Sequence, residues 1–417
     1  MDVMKDGWQA VKLGEVCGLQ NGFAFKSTMF KSHGTPVLRI SNIQNDEICN
    51  NRLVYTDPDD YKEDLSKYEV RNGDLLIAMS GATTGKVGFN STSKIYLLNQ
   101  RVGKFEPKKT IDKKYLYYFL STRVEENLKM SAGSAQPNLS TKQIKDFIIP
   151  MPPLPEQKRI VAILDGAFAV IERAVANTEK NLANARELFD GFQNSVLSQP
   201  NENWKKTSLG KEIDLLTGFA FKSKEYTEAK DGIPLLRGDN ITQGELRWKS
   251  FKRWPKNDTS NYKKYELEEG DIVLAMDRTW VKAGLKYAQI SSTDLPCLLV
   301  QRVARLRSKK EMDGGFLKFL IGSPIFTEYV LAIQTGLSVP HISGKQISDF
   351  EFLRPSVKEQ TSISSTLIEM QINLHNLESI YISKIAALSE LKQSLLQKAF
   401  SGELTADPER ALKEAAA

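Results

Sequence analysis

The chain has 417 residues, of which 41% are hydrophobic and 26% charged, with a net charge of +6 and a pI of about 8.9. That length exceeds what one hydrophobic core holds, so at least two domains are expected. The composition excludes collagen-like, low-complexity and disulfide-scaffold classes, and its mild basicity permits a nucleic-acid partner without requiring one. Cys17, Cys49 and Cys297 lack metal-ligand or disulfide-framework spacing, and His33, His341 and His375 are equally scattered. The stretch MDVMKDGWQAVKLGEV has no signal-type apolar segment, and Ile160–Ile171 is short and broken by Asp165. A soluble protein of a reducing cytoplasm is expected.

In chain order, the first segments are GFAFKS from Gly22, GTPVLRISNI from Gly34 and GDLLIAM from Gly73. LLNQRV from Leu97 and GSAQPNLSTKQIKDF from Gly133 follow. Short β-type runs (Val37–Ile40, Asp74–Met79) alternate with Gly, Asn and Pro turns, and Lys113–Leu128 has helical character. After the prolines of PMPPLPEQ, a proline-free stretch runs to about Ser198. Its positions Ile160, Leu164, Ala167, Ile171, Val175, Thr178, Leu182, Ala185, Phe189, Phe192 and Val196 make a loose 4-3 series. Pro155 suits the first turn of that helix.

The same order then returns. GFAFKS recurs from Gly218, GIPLLRGDNI from Gly232, GDIVLAM from Gly270, LLVQRV from Leu298 and GLSVPHISGKQISDF from Gly336, at offsets of 196 to 203 residues. The last pair shares eight of fifteen residues. Five collinear matches with slowly drifting offsets indicate a tandem duplication whose loops differ in length. A second long helix follows LRPSVKEQ, with Ser356 and Glu359 spaced for a capping box. Positions 363, 367, 370, 374, 377, 381, 384, 388, 391, 395 and 398 repeat in a 4-3 pattern, nine of eleven being apolar.

Such stripes need partners, and two helices packing on each other bury both. Residues Ile160, Leu164, Ile171, Leu182, Phe189 and Phe192 of the first helix are expected in that contact, with Leu367, Met370, Leu374, Leu377, Leu388, Leu391 and Leu395 of the second. About forty residues make a helix roughly 60 Å long. A pseudo-two-fold relation between the copies makes the helices antiparallel. The expected fold is α+β: two similar mixed α/β domains, 1–153 and 204–355, joined by helical segments 154–203 and 356–417.

GDLLIAMSGATTGKVG resembles a phosphate loop superficially, but Gly81 and Gly85 are spaced by three residues and Val87 stands where a hydroxyl is needed. Its counterpart, GDIVLAMDRTWVKAGL, lacks the Gly-Lys pair. No dinucleotide fingerprint, metal-ligand cluster or nucleophile elbow is present. No catalytic, cofactor or metal residues are expected. A structural adaptor that binds proteins through two similar domains is the alternative that these features leave open.

The collinear halves, the paired GFAFKS elements, GDLLIAMSG with GDIVLAM, the KQI close of each globular part and PPLPEQKRIVAILD at a helix start together resemble the specificity subunit of type I restriction-modification systems. The resemblance covers essentially the whole chain. It implies a non-catalytic, cytoplasmic prokaryotic subunit that recognises double-stranded DNA. Each globular part becomes a target recognition domain reading one half of a split, asymmetric sequence. The helices set the unread spacer and dock two methyltransferase subunits, to which restriction (translocase and endonuclease) subunits are added. S-adenosylmethionine, ATP and Mg are then expected on those partners, and no membrane is involved.

Residues common to both copies are expected to be framework or phosphate contacts, because phosphate contacts position a protein and base contacts specify. Phe23, Phe25, Phe219 and Phe221 read as core. The shared cations are Lys26 and Lys222, Arg39 and Arg237, Arg101 and Arg302, and Lys142 and Lys345. Base readers are expected where the copies diverge: Ser80, Thr83, Thr84 and Lys86 against Arg278, Trp280 and Lys282, and Gln136 and Asn138 against His341. Residues Glu245–Lys264 carry seven basic and two acidic side chains with interleaved aromatics, against two basic and six acidic in Gln44–Glu63. Arg247, Trp248, Lys249 and Arg253 of that strip are expected to face DNA.

Overall fold

The computed structural model describes residues 5, 7–44, 47–123, 138–198, 201–336 and 339–406. Two compact units emerge: Met1–Thr178 with Ser383–Ala417, and Glu179–Ile382.

In the first unit, Cys17–Asn21 and Leu75–Ala78 flank Val102–Pro107, and the sheet continues through Val87–Phe89, Glu47–Ile48 and Ile43–Gln44. A four-stranded sheet orders Val54–Thr56, Thr35–Leu38, Tyr96–Leu98 and Glu69–Val70. Its Tyr96–Leu98 strand is parallel to Thr35–Leu38. Gln9–Lys12 pairs with Ile148–Met151 just before the first long helix. Leu75–Ala78 is buried along its whole length, as a central strand with apolar residues on both faces must be.

The second unit repeats this plan. Ile213–Thr217 and Ile272–Ala275 flank Val303–Ser308, Ile233–Leu236 runs parallel to Leu298–Leu299, and Lys205–Ser208 pairs with Glu351–Arg354 before the second helix. The repeated glycine of GFAFKS has one physical explanation in both units. A Cβ on Gly22 would collide with the carbonyls of Leu98 and Asn99, and one on Gly218 with that of Val300. The close approach lets Phe23 N donate to Leu98 O at 2.8 Å and Phe219 N to Leu299 O at 3.0 Å. Phe25 and Phe221 are buried, and Phe23 and Phe219 pack half-buried among Tyr61 and Tyr68 or Tyr262 and Tyr265.

The long helices are Leu154–Ser198 and Val357–Ser401. Ser356 and Glu359 form the expected capping pair, and Gly402, at φ +86°, ends the second helix in the left-handed conformation. Each helix start is tied to its own globular part by a fully buried glutamine. Gln157 accepts from Asp112 N and donates to Thr110 O and Pro152 O; Gln360 accepts from Asp313 N and donates to Glu311 O and Pro355 O, all at 2.8–3.1 Å.

In the first unit, Leu396 and Ala399 of the second helix join the core with Ile160, Leu164 and Ile171 of the first, and Lys392 lies over the Phe168 ring. In the second unit, Phe189 clusters with Leu367, Met370 and Leu374, Leu182 is half-buried, and Arg186 pairs with Glu378 at 2.6 Å. Within each unit the two helices therefore run antiparallel. Leu388 and Leu395 are half-buried against the first unit's core.

Three expected packing residues are instead exposed: Phe192 at 37%, Leu377 at 40% and Leu391 at 47%. The inward stripe takes Gln193, Glu378 and Lys392, one position further on. These polar residues are tolerated because each has a partner: Phe319 O for Gln193, Arg186 for Glu378 and the Phe168 ring for Lys392.

No single described helix is long and apolar enough to cross a membrane. The bent pair Gly314–Ile321 and Pro324–Ile333 has the composition, but Phe316, Leu317, Ile321, Phe326 and Val330 form the core of the second unit.

Candidate nucleic-acid interface

Both units clamp the end of a central strand between two other segments. In the first, Met79 N donates to Arg101 O at 2.9 Å while Leu139 N donates to Met79 O at 2.8 Å. In the second, Met276 N donates to Arg302 O at 2.8 Å and Ile342 N to Met276 O at 2.9 Å. Bridges follow one residue later, Ser80 to Asn138 and Asp277 to His341. The divergent polar loops and the shared arginines are thus brought together in each unit.

The first unit's loop is short and internally satisfied. Gly81–Thr83 makes a single 3-10 turn, Thr84 Oγ1 donates to Gly81 O, Thr83 Oγ1 donates to Ile40 O, and Gly85 N donates to Ala78 O. Thr84 is 1% exposed, so the expectation that it reads DNA is corrected: its hydroxyl closes the turn. Ser80 and Lys86 remain half-exposed, and exposed Arg101 reaches Asn138 Oδ1 at 3.4 Å. Arg39 donates to Arg52 O. Gln136 lies outside the described residues.

The second unit's loop is longer. Trp280–Val281 and Gly284–Leu285 form a hairpin, with Trp280 38% exposed and Lys282 fully on the surface. The residues that flank the hairpin, Arg278 and Lys286, line a cleft of about 390 Å³ with Arg237, Asp239, Asp277 and Arg302, among others. Arg302 Nε lies 3.6 Å from Asp277, Arg237 lies 3.3 Å from Asp239, and Lys286 Nζ donates to Gly238 O. Burial holds the Lys286 ammonium below its ordinary pKa, Asp239 opposing and Arg278 reinforcing the shift. Four cations against two carboxylates make this a positive cleft suited to a polyanion.

Lys286 escaped the sequence reading, which aligned Lys86 with Lys282. The backbone shows otherwise: Ala78 N donates to Lys86 O, and Ala275 N to Lys286 O. The lysine is shared, and the second copy has three extra residues before it. The only available signal was the rise in offset from 197 at GDLLIAM to 201 at LLNQRV, which places insertions between them.

The remaining candidates lie elsewhere in their units. Lys26 and Lys222 are exposed beside the aromatic clusters, and Lys142 and Lys345 are exposed on short helices capped by Ser140 and Ser343. In the basic strip, Trp254 is buried and donates to Asp258, and half-buried Trp248 donates to Asp294 at 2.8 Å. Trp254 is thus engaged in packing, while Trp248 keeps part of its ring at the surface. Arg247 and Lys249 are exposed, while half-buried Arg253 stacks on Phe251.

Among the described residues no group of three or more His, Cys, Asp or Glu is arranged to hold a metal. Burial raises the Cys17 and Cys297 thiols to about 12, making them packing residues.

Residues 5–180 match the family model for the type I restriction modification DNA specificity domain. The chain is 26% identical to the type I restriction enzyme MjaVIII specificity subunit of Methanocaldococcus jannaschii, over 80% of each chain. It is 25% identical to the EcoBI specificity subunit of Escherichia coli, over 96% of this chain and 87% of that one. Similar solved structures include a chain of a type I R-M system studied for complex assembly and conformational transition. That match has 18% identity and a TM-score of 0.77, and covers 96% of this chain and all of that one. The HsdS subunit of Thermoanaerobacter tengcongensis also matches, with 18% identity and a TM-score of 0.58 over 96% and 98% of the chains. Residues 5–180 thus carry the type I restriction modification DNA specificity domain, and over most of its length the chain resembles the specificity subunits of type I restriction enzymes.

Proposed function

We propose that this chain is the non-catalytic DNA-recognition subunit of a cytoplasmic type I restriction-modification complex. The globular segments 1–153 and 204–355 are its two target recognition domains, each reading one part of a bipartite, asymmetric sequence in double-stranded DNA. The helical segments 154–203 and 356–417 fix the unread spacer and dock two methyltransferase subunits, with restriction subunits joining that assembly. S-adenosylmethionine, ATP and Mg belong to those partners.

The observation that carries this reading is the repeated strand-end clamp, with the same arginine and lysine in both units and different loop tips. Shared cations suit phosphates, which are the same in every sequence; divergent tips suit base edges, which are not. An adaptor that binds proteins gives no reason for a positive cleft at this place.

DNA affinity of the assembled complex, measured against salt concentration, tests the reading. A steep fall on a log-log plot is expected, with a slope near −0.9 for each phosphate contact. Affinity independent of salt contradicts it. Adding or removing seven residues within 169–185 is expected to change the tolerated spacer or abolish assembly, with both half-site sequences intact. An altered half-site with an unaltered spacer contradicts the ruler role.

A further inference from the structure

Arg278 holds its backbone at φ +47°, in the left-handed region. The equivalent position of the first unit, one residue past the bridging Ser80, is Gly81 at φ +76°. Glycine makes this turn without strain, whereas a residue with a Cβ adopts it only at a cost. Packing does not account for the arginine: its side chain is exposed, and its guanidinium makes no hydrogen bond or ion pair among the described residues. The other cations of the cleft are engaged, Arg237 with Asp239, Arg302 with Asp277 and Lys286 with the Gly238 carbonyl.

The mount beneath Arg278 is rigid. Its own N–H donates to Pro340 O at 2.7 Å, Asp277 bridges to His341, and the next residue, Thr279, is 1% exposed and accepts from Lys286 N at 2.8 Å through its carbonyl. A planar fork of donors thus springs from a fixed backbone position at the edge of a positive cleft, where the sister copy has only hydrogen. Phosphate contacts, being common to all sequences, belong with the shared cations; a cation private to one copy belongs with sequence readout. Arginine's fork matches the O6 and N7 acceptors that guanine shows in the major groove.

We propose that Arg278 is the residue with which the second recognition domain reads a guanine, through paired hydrogen bonds to O6 and N7. This rests on the DNA-recognition reading above. The test uses the complex assembled with its methyltransferase subunits. Its preferred sequence is selected from random DNA, then measured with 7-deazaguanine at each guanine of the half-site bound by the second domain. Loss of N7 at one position is expected to weaken wild-type binding by about 10- to 100-fold. Arg278→Gly is expected to lose both that penalty and the guanine preference there, and Arg278→Lys to keep only a weakened preference, leaving the other half-site unchanged. The glycine variant removes backbone strain, so its loss cannot be ascribed to misfolding.

A guanine preference that survives Arg278→Gly overturns the assignment. So does an equal deaza penalty in wild type and variant, or a uniform weakening with the preferred sequence intact, which is the mark of a phosphate contact. A wild-type complex that selects no sequence overturns the recognition reading itself.

Discussion

The loops at Ser80–Lys86 and Asp277–Lys286 spring from the same strand end, clamped by the same arginine, and return to the same lysine. Between those points one closes on itself and the other extends. In the first unit the hydroxyls of Thr83 and Thr84 are consumed by Ile40 O and Gly81 O, which leaves little polar surface beyond Ser80 and Lys86. In the second, three more residues make a hairpin that exposes Trp280 and Lys282, and the residues on either side of it, Arg278 and Lys286, line a positive cleft. A duplicated scaffold can thus keep its framework and vary its reader by changing loop length as well as residue type.

If the framework is shared, damage to it should be severe in either unit. Leu367 is completely buried between Phe189 and Phe319, and Leu367→Ala is expected to cost about 2–5 kcal/mol in chemical denaturation. A loss below 1 kcal/mol would show that the helix contact is looser than described.

The buried glutamines come next. Gln157→Leu and Gln360→Leu each remove one bond to a backbone N–H and two to carbonyls, and a loss of about 2–4 kcal/mol is expected for each. Similar losses from the two variants support equivalence of the junctions. A large loss from one alone breaks it.

The left-handed position separates the loops more finely. Gly81→Ala is expected to cost about 1–2 kcal/mol, since its φ is +76° and a Cβ would press on Ile40. Arg278→Gly should change stability by less than about 0.5 kcal/mol, relief of strain offsetting added freedom of the unfolded chain. Thermal denaturation of both variants checks the contrast.

Acid probes the carboxylate at the start of the first long helix. Desolvation pushes the Glu156 carboxyl up, but Lys5, Thr405 and the Trp8 indole outweigh it and hold the pKa below the ordinary 4.5. A carboxylate with a depressed folded-state pKa stabilises at pH above its unfolded value. That contribution fades as pH falls from about 4.5 through the folded value. Glu156→Gln should remove on the order of 1 kcal/mol at pH 7 and flatten the decline below pH 4.5. An unchanged acid profile would show that this cluster contributes nothing. The smallest effect is expected from Leu377→Ala, whose side chain faces solvent in this chain: within about 0.5 kcal/mol.

The duplication, the two helices and the strand ends were legible because each leaves a periodic or collinear mark in the sequence. The looser helical series proved the better guide: from Ile160 to Phe189 every position is buried or half-buried. The more regular series misled at Leu377 and Leu391, while Leu374, Leu388 and Leu395 are half-buried. The second helix carries leucines on more than one stripe, and its inward stripe is chosen by partners such as Arg186 and Phe168, which lie far away in sequence. Thr84 was illegible for a related reason: nothing local distinguishes a hydroxyl that caps its own turn from one that faces outward. Trp254 lies in the core although its strip is basic, because aromatics among lysines suit a nucleic-acid surface and a small domain's core equally well. Lys286 was hidden by a three-residue insertion that changed the neighbours but not the backbone position.

The central claim is that a shared framework holds independent readers, and exchange of one loop tests it most directly. Asp277–Lys286 would be replaced by the sequence of Ser80–Lys86, and the preferred DNA sequence of the assembled complex determined by selection. The account predicts altered bases in one half-site only, with the other half-site and the spacer as in wild type. Changes in both half-sites, or an unaltered sequence from a complex that still binds DNA, would contradict it.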